Sequence, residues 1–261
     1  MDKARNYIGQ VSSNLVSDNS NKGKAIKAII AIVLVLLVVY FVKKMYNTYM
    51  DYKNSKPWIL KGTKRANKRM IVLQDPSKSG SITLGRSKNE EAGLEFSYIF
   101  WMFIDDWAVK YGQWKHVMHK GNDSSWPLRG PGIWLHPKNN AMRVYMNTFK
   151  EIGEYVDIEN IPINKWFCVS VNLRQKNLDV FINGNLAKRK VLSSLPKQNY
   201  GDLFINSFQG FSGYLSNIRY FDYYLSYSEI SDHIKRGPSS MPCVDSNEMP
   251  PYLSANWWTS L

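Results

Sequence analysis

The chain has 261 residues, 44% of them hydrophobic and 14% aromatic, enough for one large all-β or mixed domain, or two small ones, with a sizeable core. A net charge of +13 resembles that of a nucleic-acid binder, but the charge is confined to the front of the chain. Residues 1–70 hold 14 Lys and Arg against Asp2, Asp18 and Asp51, whereas residues 71–261 hold 20 against 18 acids, so nucleic acid is not an expected partner of the main domain.

A polar basic leader, residues 1–24, precedes "AIKAIIAIVLVLLVVYFV", residues 25–42, which has one charge, Lys27, near its end. A bilayer core about 30 Å thick needs roughly 17–25 helical residues, so this stretch is predicted to span it as a single helix through Ala28, Ile32, Leu36, Val39 and Val42. Tyr46, Tyr49 and Tyr52 follow as an interfacial belt. A cleaved signal peptide is the competing reading, but the leader is long for one and "YFVKKMY" offers no small-residue cleavage site. Nine bases flank the span on the C-terminal side (Lys43, Lys44, Lys53, Lys56, Lys61, Lys64, Arg65, Lys68 and Arg69) against five on the leader, which places the large domain on the cytosolic side. Residues 43–69 read as a basic juxtamembrane linker that docks on anionic lipid or an acidic partner, or else as a solvated spacer whose charges only set topology.

From Met70 the pattern changes to short apolar or alternating runs separated by turn residues, among them Ile71–Leu73, Ser81–Leu84, Leu94–Ile104, His116–His119, Met142–Asn147, Trp166–Asn172, Leu178–Asn183 and Gly213–Phe221. A dozen such strands predict an antiparallel β-sandwich. Asn183-Gly184 is the preferred pair for a tight type I′ turn, because both positions tolerate positive φ. Ser226 and Glu229 have capping-box spacing and open a short helix through Arg236, closed by Gly237-Pro238. Cys168, inside an apolar run, reads as a buried free thiol, and with Cys243 it makes no disulfide framework.

The succession "NIPINKWFCVSVNL", "LDVFINGNLAKR" and "GDLFINSFQGFSGYLSNIRYFDYYLSYSEI" resembles laminin-G-like domains of the concanavalin A-like jelly-roll class, over residues 70–238. With a membrane span before it, the chain is similar to membrane-anchored jelly-roll proteins of large DNA viruses. The resemblance implies a structural part of a virion, a minor capsid protein joining an internal membrane to the shell through contacts with capsid or other membrane-proximal proteins.

Glucanases of this class carry Glu-x-Asp on a catalytic strand, and no Glu-x-Asp occurs in the chain. The nearest cluster, Glu154, Asp157 and Glu159, puts Glu154 and Asp157 on opposite faces of a strand, so no catalytic residues are assigned. His116 and His119, three apart on a predicted strand, are likewise expected to diverge, and no metal-ligand spacing appears. Likeness to calcium-binding laminin-G modules leaves a loop Ca²⁺ site open at Asp105, Asp106 and Asp123, and no other cofactor is expected. The alternative to a structural role is a lectin-like surface protein, with Asp123, Trp126 and Arg129 in "NDSSWPLRGPG" as glycan-binding candidates. On that reading the domain would be exoplasmic and the sequon Asn122-Asp123-Ser124 glycosylated. The tail, residues 239–261, ends in Trp257-Trp258, adjacent side chains that point apart, so one can anchor while the other meets a partner.

Overall fold

The computed structural model describes residues 21–86 and 94–242, without the side chains of residues 22, 23, 53 and 54. The leader 1–20 and the Trp257-Trp258 pair lie outside the described residues, as does Cys243. The chain divides into two compact units between Lys53 and Asn54.

Helix α1 runs from Asn21 to Ser55. Within it Lys24–Tyr52 is long and apolar enough to cross a membrane, and Ile32, Leu36, Val39 and Val42 are all exposed. Twenty-nine helical residues are about 44 Å long at 1.5 Å per residue, so the helix outruns the predicted span. Lys43 and Lys44 do not end it, because lysine is a good helix former. It stops at Ser55, two residues before Pro57, which cannot continue a helix and pushes Lys56 towards extended backbone.

The second unit is an antiparallel sandwich of two six-stranded sheets with one terminal helix, as expected. The first sheet has the order β1-β12-β3-β8-β9-β10, built from β1 (Trp58–Arg65), β12 (Gly213–Phe221), β3 (Glu95–Ile104), β8 (Trp166–Arg174), β9 (Asn177–Ile182) and β10 (Asn185–Val191). The second has the order β2-β11-β4-β5-β6-β7, built from β2 (Met70–Val72), β11 (Asp202–Ile205), β4 (Lys115–Gly121), β5 (Arg129–Leu135), β6 (Ala141–Met146) and β7 (Glu154–Glu159). Alternate residues of each strand fill the space between the sheets: Phe96, Tyr98, Phe100 and Met102 from β3 meet Val117, Ile133, Val144 and Val156 from the other layer. Strand β3 is apolar on both faces for a reason. Its outer residues Ile99 and Trp101 join Cys168, Phe221 and Leu225 in a second cluster sealed by Ile230 of helix α2 (Tyr227–Arg236). Burial there pushes the Cys168 thiol up to about 12.

Two local predictions hold to the residue. Asn183 and Gly184 take φ of 50° and 82° between β9 and β10, and Ser226 and Glu229 form the reciprocal capping box of α2. Two boundaries differ. Ser81–Leu84 forms no strand, and the sandwich begins at Trp58 rather than Met70. Strand β1 lies inside the predicted basic linker and pairs with β12, burying Ile59 and Leu60. Its register shifts between Leu60 and Thr63, around Gly62 at φ 93°, so the burial does not alternate and charged residues interrupt the pattern.

The same device explains the mixed faces of "GYLSNIRYF". Asn217, at φ 51°, sits in the register shift between Ser216 and Arg219, so Leu215, Ile218 and Tyr220 all reach the main core, while Phe221 turns to the second cluster. Asn217 Oδ1 accepts from Gly62 N at 3.3 Å, which sets the irregularities of the two neighbouring strands side by side.

Candidate functional site

Helix α2 covers the first sheet, whereas the outer face of the second sheet carries the densest polar and aromatic chemistry among the described residues. Two registered rows cross it. One runs Ile71, Phe204, His119, Gly132, Tyr145, Tyr155, and the other His116, Trp134, Arg143, Asp157.

Gly132 leaves a gap in the first row that the Arg129 side chain fills: a β-carbon there would lie 3.3 Å from Arg129 Cβ and 3.6 Å from its Cδ. The Arg129 guanidinium stands 3.6 Å from the Tyr145 ring centre and 5.3 Å from that of Trp126. Arg143 lies 5.7 Å from the Tyr145 ring centre, 3.7 Å from that of Tyr155 and 4.9 Å from that of Trp114. The result is a ladder in which arginine and aromatic layers alternate, Trp126, Arg129, Tyr145, Arg143, Tyr155, and each contact combines stacking with cation–π attraction.

The two cations differ. Arg143 binds Asp157 through Nε at 2.6 Å and Nη2 at 2.7 Å, and this fork holds it above the ordinary guanidinium range. Arg129 has no carboxylate within ion-pairing distance among the described residues, and its buried Nε has no hydrogen-bond partner. Burial pulls it down from the ordinary range, although a guanidinium stays charged at neutral pH. Arg129 is thus a half-buried cation without a counter-ion, while Trp126 beside it is 53% exposed. Trp126-Pro127 and Gly130-Pro131 are both cis peptides on either side of it.

His116 and His119 meet, contrary to the expectation that they diverge. Val117 is an extra residue between the pairs His116–Trp134 and Met118–Ile133, and this bulge restores both rings to one face. Ser207 N–H donates to His116 Nδ1 at 3.0 Å, and His119 Nε2 lies 2.7 Å from the Asn122 carbonyl. An amide can only donate and a carbonyl only accept, so His116 Nε2–H donates to His119 Nδ1 at 2.6 Å and both rings are neutral. Trp134 and Phe204 flank the pair, and Phe208 packs over Trp134 and His116.

The glycan candidates separate into two places. Trp126 and Arg129 share the ladder, but Asp123 forms an ion pair with Arg69, beside Ser124, Ser207 and Phe208 around a shallow cleft of ≈ 500 Å³. Arg69 is therefore engaged within the sandwich, with its guanidinium also 5.6 Å from the Phe204 ring centre. Of the other predicted headgroup bases, Lys64 is buried, and Arg65 stands over the Tyr214 ring at 5.6 Å. Lys56 stands over the Tyr223 ring at 5.3 Å, Lys68 lines a cleft with Phe103 and Trp166, and Lys43, Lys44 and Lys61 are exposed. Glu154 and Asp157 do face opposite ways. Glu154 accepts from Ser193 N and Oγ at 2.9 Å each, on the core side of β7. Asp106 caps Ala108 N, and no three His, Cys, Asp or Glu side chains cluster among the described residues.

Sequence reasoning passed over Arg143, Tyr145, Tyr155 and Trp114. A signal was present: Arg-x-Tyr in "MRVYM" and Tyr-x-Asp in "EYVDIE" occupy the polar phase of alternating strands, where a cross-strand pair of such side chains stacks.

No curated protein matches the chain in sequence. Among solved structures, it is similar to the botulinum neurotoxin serotype D binding domain, with 14% identity, a TM-score of 0.49 and 70% of this chain and 51% of that one covered. The same domain in complex with N-acetylneuraminic acid matches at 13% identity and a TM-score of 0.48, over 71% of this chain and 52% of that one. The binding domain of Paraclostridial Mosquitocidal Protein 1 matches at 14% identity and a TM-score of 0.48, over 70% of this chain and 46% of that one. The chain thus spans about half the length of these solved chains. Residues 75–231, more than half of the sequence, match the family of the sandwich itself, and the chain belongs to the concanavalin A-like lectin/glucanases superfamily.

Proposed function

We propose that this chain is a non-catalytic, membrane-tethered binding protein that joins a membrane to a protein shell, as a minor component of a virus particle. The observation that supports this most directly is the exposed face of the second sheet. It presents a pre-stacked arginine–aromatic ladder, and the two carboxylates nearest the ladder and the histidine pair are engaged in ion pairs, Asp157 with Arg143 and Asp123 with Arg69. Stacked guanidinium and aromatic groups lose little side-chain entropy on association and are the side chains that dominate protein interfaces. The apolar part of α1 is the anchor, with the sandwich on the cytosolic, shell-facing side, and the exposed Lys43 and Lys44 set against lipid headgroups. Crosslinking mass spectrometry on intact particles or membranes tests the reading. Crosslinks from lysines beyond residue 54 to shell proteins are expected, and their absence from a well-crosslinked sample would count against it.

A second reading, a carbohydrate-binding surface protein, draws support from Trp126 and Arg129. An exposed indole beside an uncompensated guanidinium suits a sugar that bears an acid group, with the ring stacked on Trp126. A glycan array that shows no binding would remove it.

A further inference from the structure

A cavity of ≈ 420 Å³ opens at one end of the sandwich, between the two sheets, where Gly130 and Pro131 of the strand that carries Arg129 contribute to its wall. That volume lies within the range of small-molecule sites, about 300–1,000 Å³. Its wall on the first sheet is aromatic: Phe96, Tyr98 and Tyr220, with ring centres 5.6 Å apart for Phe96–Tyr98 and 5.1 Å apart for Tyr98–Tyr220. Pro131 lines the opposite wall.

A lysine stands among these apolar groups. Lys120 pairs with the core residue Leu203, so its side chain leaves β4 on the inner face rather than towards solvent. Its Nζ donates to the carbonyls of Asn199 at 2.7 Å and Gly201 at 2.9 Å. That uses two of three ammonium protons, and both acceptors are neutral. The nearby carboxylate, Asp202, is already an acceptor for Gln74 N at 2.9 Å and lies outside ion-pairing distance. A half-buried ammonium without a counter-ion is unfavourable, and among the described residues no carboxylate lies within ion-pairing distance of Lys120.

We propose that this cavity is a binding site for a small apolar carboxylate, an aromatic or branched acid whose body lies against Phe96, Tyr98, Tyr220 and Pro131 and whose carboxylate accepts from Lys120 Nζ. The charges of the described lining residues favour an anion: Lys120, Lys197 and Arg86 outnumber Asp75 and Asp202. The site is independent of the ladder and of the structural role proposed above. Its pH dependence follows from the groups around Nζ, which are Asp202, Asp75, Lys197, Arg86 and the hydroxyls of Tyr98 and Tyr220. Burial brings Lys120 down to about 8, with Asp202 opposing, so a carboxylate loses its partner as pH rises through that value.

The test uses the full chain in lipid nanodiscs, with 2-naphthoate as probe and empty nanodiscs as the partition control, read by saturation-transfer NMR and calorimetry. Saturable one-to-one binding is expected, at least about tenfold tighter than for the neutral analogue 2-naphthalenemethanol and weakening above pH 8. Lys120→Gln should cost about tenfold in affinity and remove the pH dependence, whereas Lys120→Arg should retain most of the binding. Should Lys120→Gln fail to fold, Leu84→Trp, which fills the cavity from its rim, should abolish binding while thermal unfolding stays cooperative. Absence of saturable binding, equal affinity for acid and alcohol, or unchanged binding in folded Leu84→Trp would each overturn the site.

Discussion

His116 Nε2 and His119 Nδ1 stand 2.6 Å apart although the two residues are three positions apart on one strand, because the bulge at Val117 turns both rings to the same side. The chain from Ser207 N–H through both imidazoles to the Asn122 carbonyl has a single consistent placement of protons. A further proton on either ring has no acceptor among the described residues. The pair therefore fastens the loops after β4 and β11 to the sheet only while it is neutral.

Stability should accordingly fall on mild acidification. Burial, then the neighbouring His119, Lys110 and Arg69, holds His116 well below the ordinary imidazole range, and burial also lowers His119 against Asn122 and Asp123. The unfolded chain binds protons below about pH 6.5 while the folded pair does not, so their contribution is complete above that pH and is lost progressively below it. Urea titrations between pH 5 and 7.5 should show a slope approaching about 1.4 kcal/mol per pH unit for each histidine kept neutral. The double variant His116→Gln, His119→Gln should flatten that slope, and an unchanged slope would refute the role of the pair.

What was legible in the sequence was governed by local rules. Asn183-Gly184 and the Ser226/Glu229 box depend on a few consecutive residues, so their chemistry shows in the string. The bulges at Val117 and Asn217 are properties of pairing between distant strands, and each reverses the inside–outside phase of everything beyond it. That is why the histidines were expected to diverge and why "GYLSNIRYF" read as mixed. Strand β1 escaped notice for a related reason: Lys61, Lys64 and Arg65 look like solvent, yet Lys64 is buried and Arg65 lies over Tyr214. The ladder was half visible, since Trp126 and Arg129 fall within four consecutive residues while Arg143, Tyr145 and Tyr155 join them only through register.

Glu154→Gln separates a structural from a hydrolytic carboxylate. Glu154 is 5% exposed and receives both Ser193 N and Ser193 Oγ, with Lys190 Nζ at 3.8 Å, so it ties the segment after β10 to β7. Loss of its charge should cost about 1–2 kcal/mol in unfolding free energy. Hydrolysis of β-glucans should be undetectable in wild type and variant alike. Activity in the wild type that vanishes in the variant would restore the glycosidase reading.

Gly201→Ala should be among the most damaging single-methyl additions. A β-carbon there would stand 2.3 Å from the Gly121 carbonyl oxygen and 2.7 Å from Gly121 Cα, both backbone atoms that no rotamer change can move. Separating the two segments should cost about 1–3 kcal/mol and lower the melting temperature by several degrees. Gly112→Ala offers a comparison, because its β-carbon would meet nothing within 4 Å and only its φ of 80° is unfavourable. A Gly201→Ala protein as stable as wild type would show that these backbones are not held so close in solution.

Trp126→Ala and Arg129→Gln should part the two readings of the ladder. Trp126 is half exposed and contributes little to the core, so its loss should change stability by less than about 1 kcal/mol. Arg129 fills the hollow over Gly132 and separates Trp126 from Tyr145, so Arg129→Gln should loosen the ladder as well as remove its uncompensated charge. If the face binds an acidic sugar, Trp126→Ala should weaken glycan-array signal about tenfold, through loss of ring stacking, and Arg129→Gln by at least as much. If it binds a shell protein, both variants should lose crosslinks around the ladder in intact particles without any array signal in the wild type. Stable variants that keep their crosslinks and show no array signal would move the binding surface elsewhere on the sandwich.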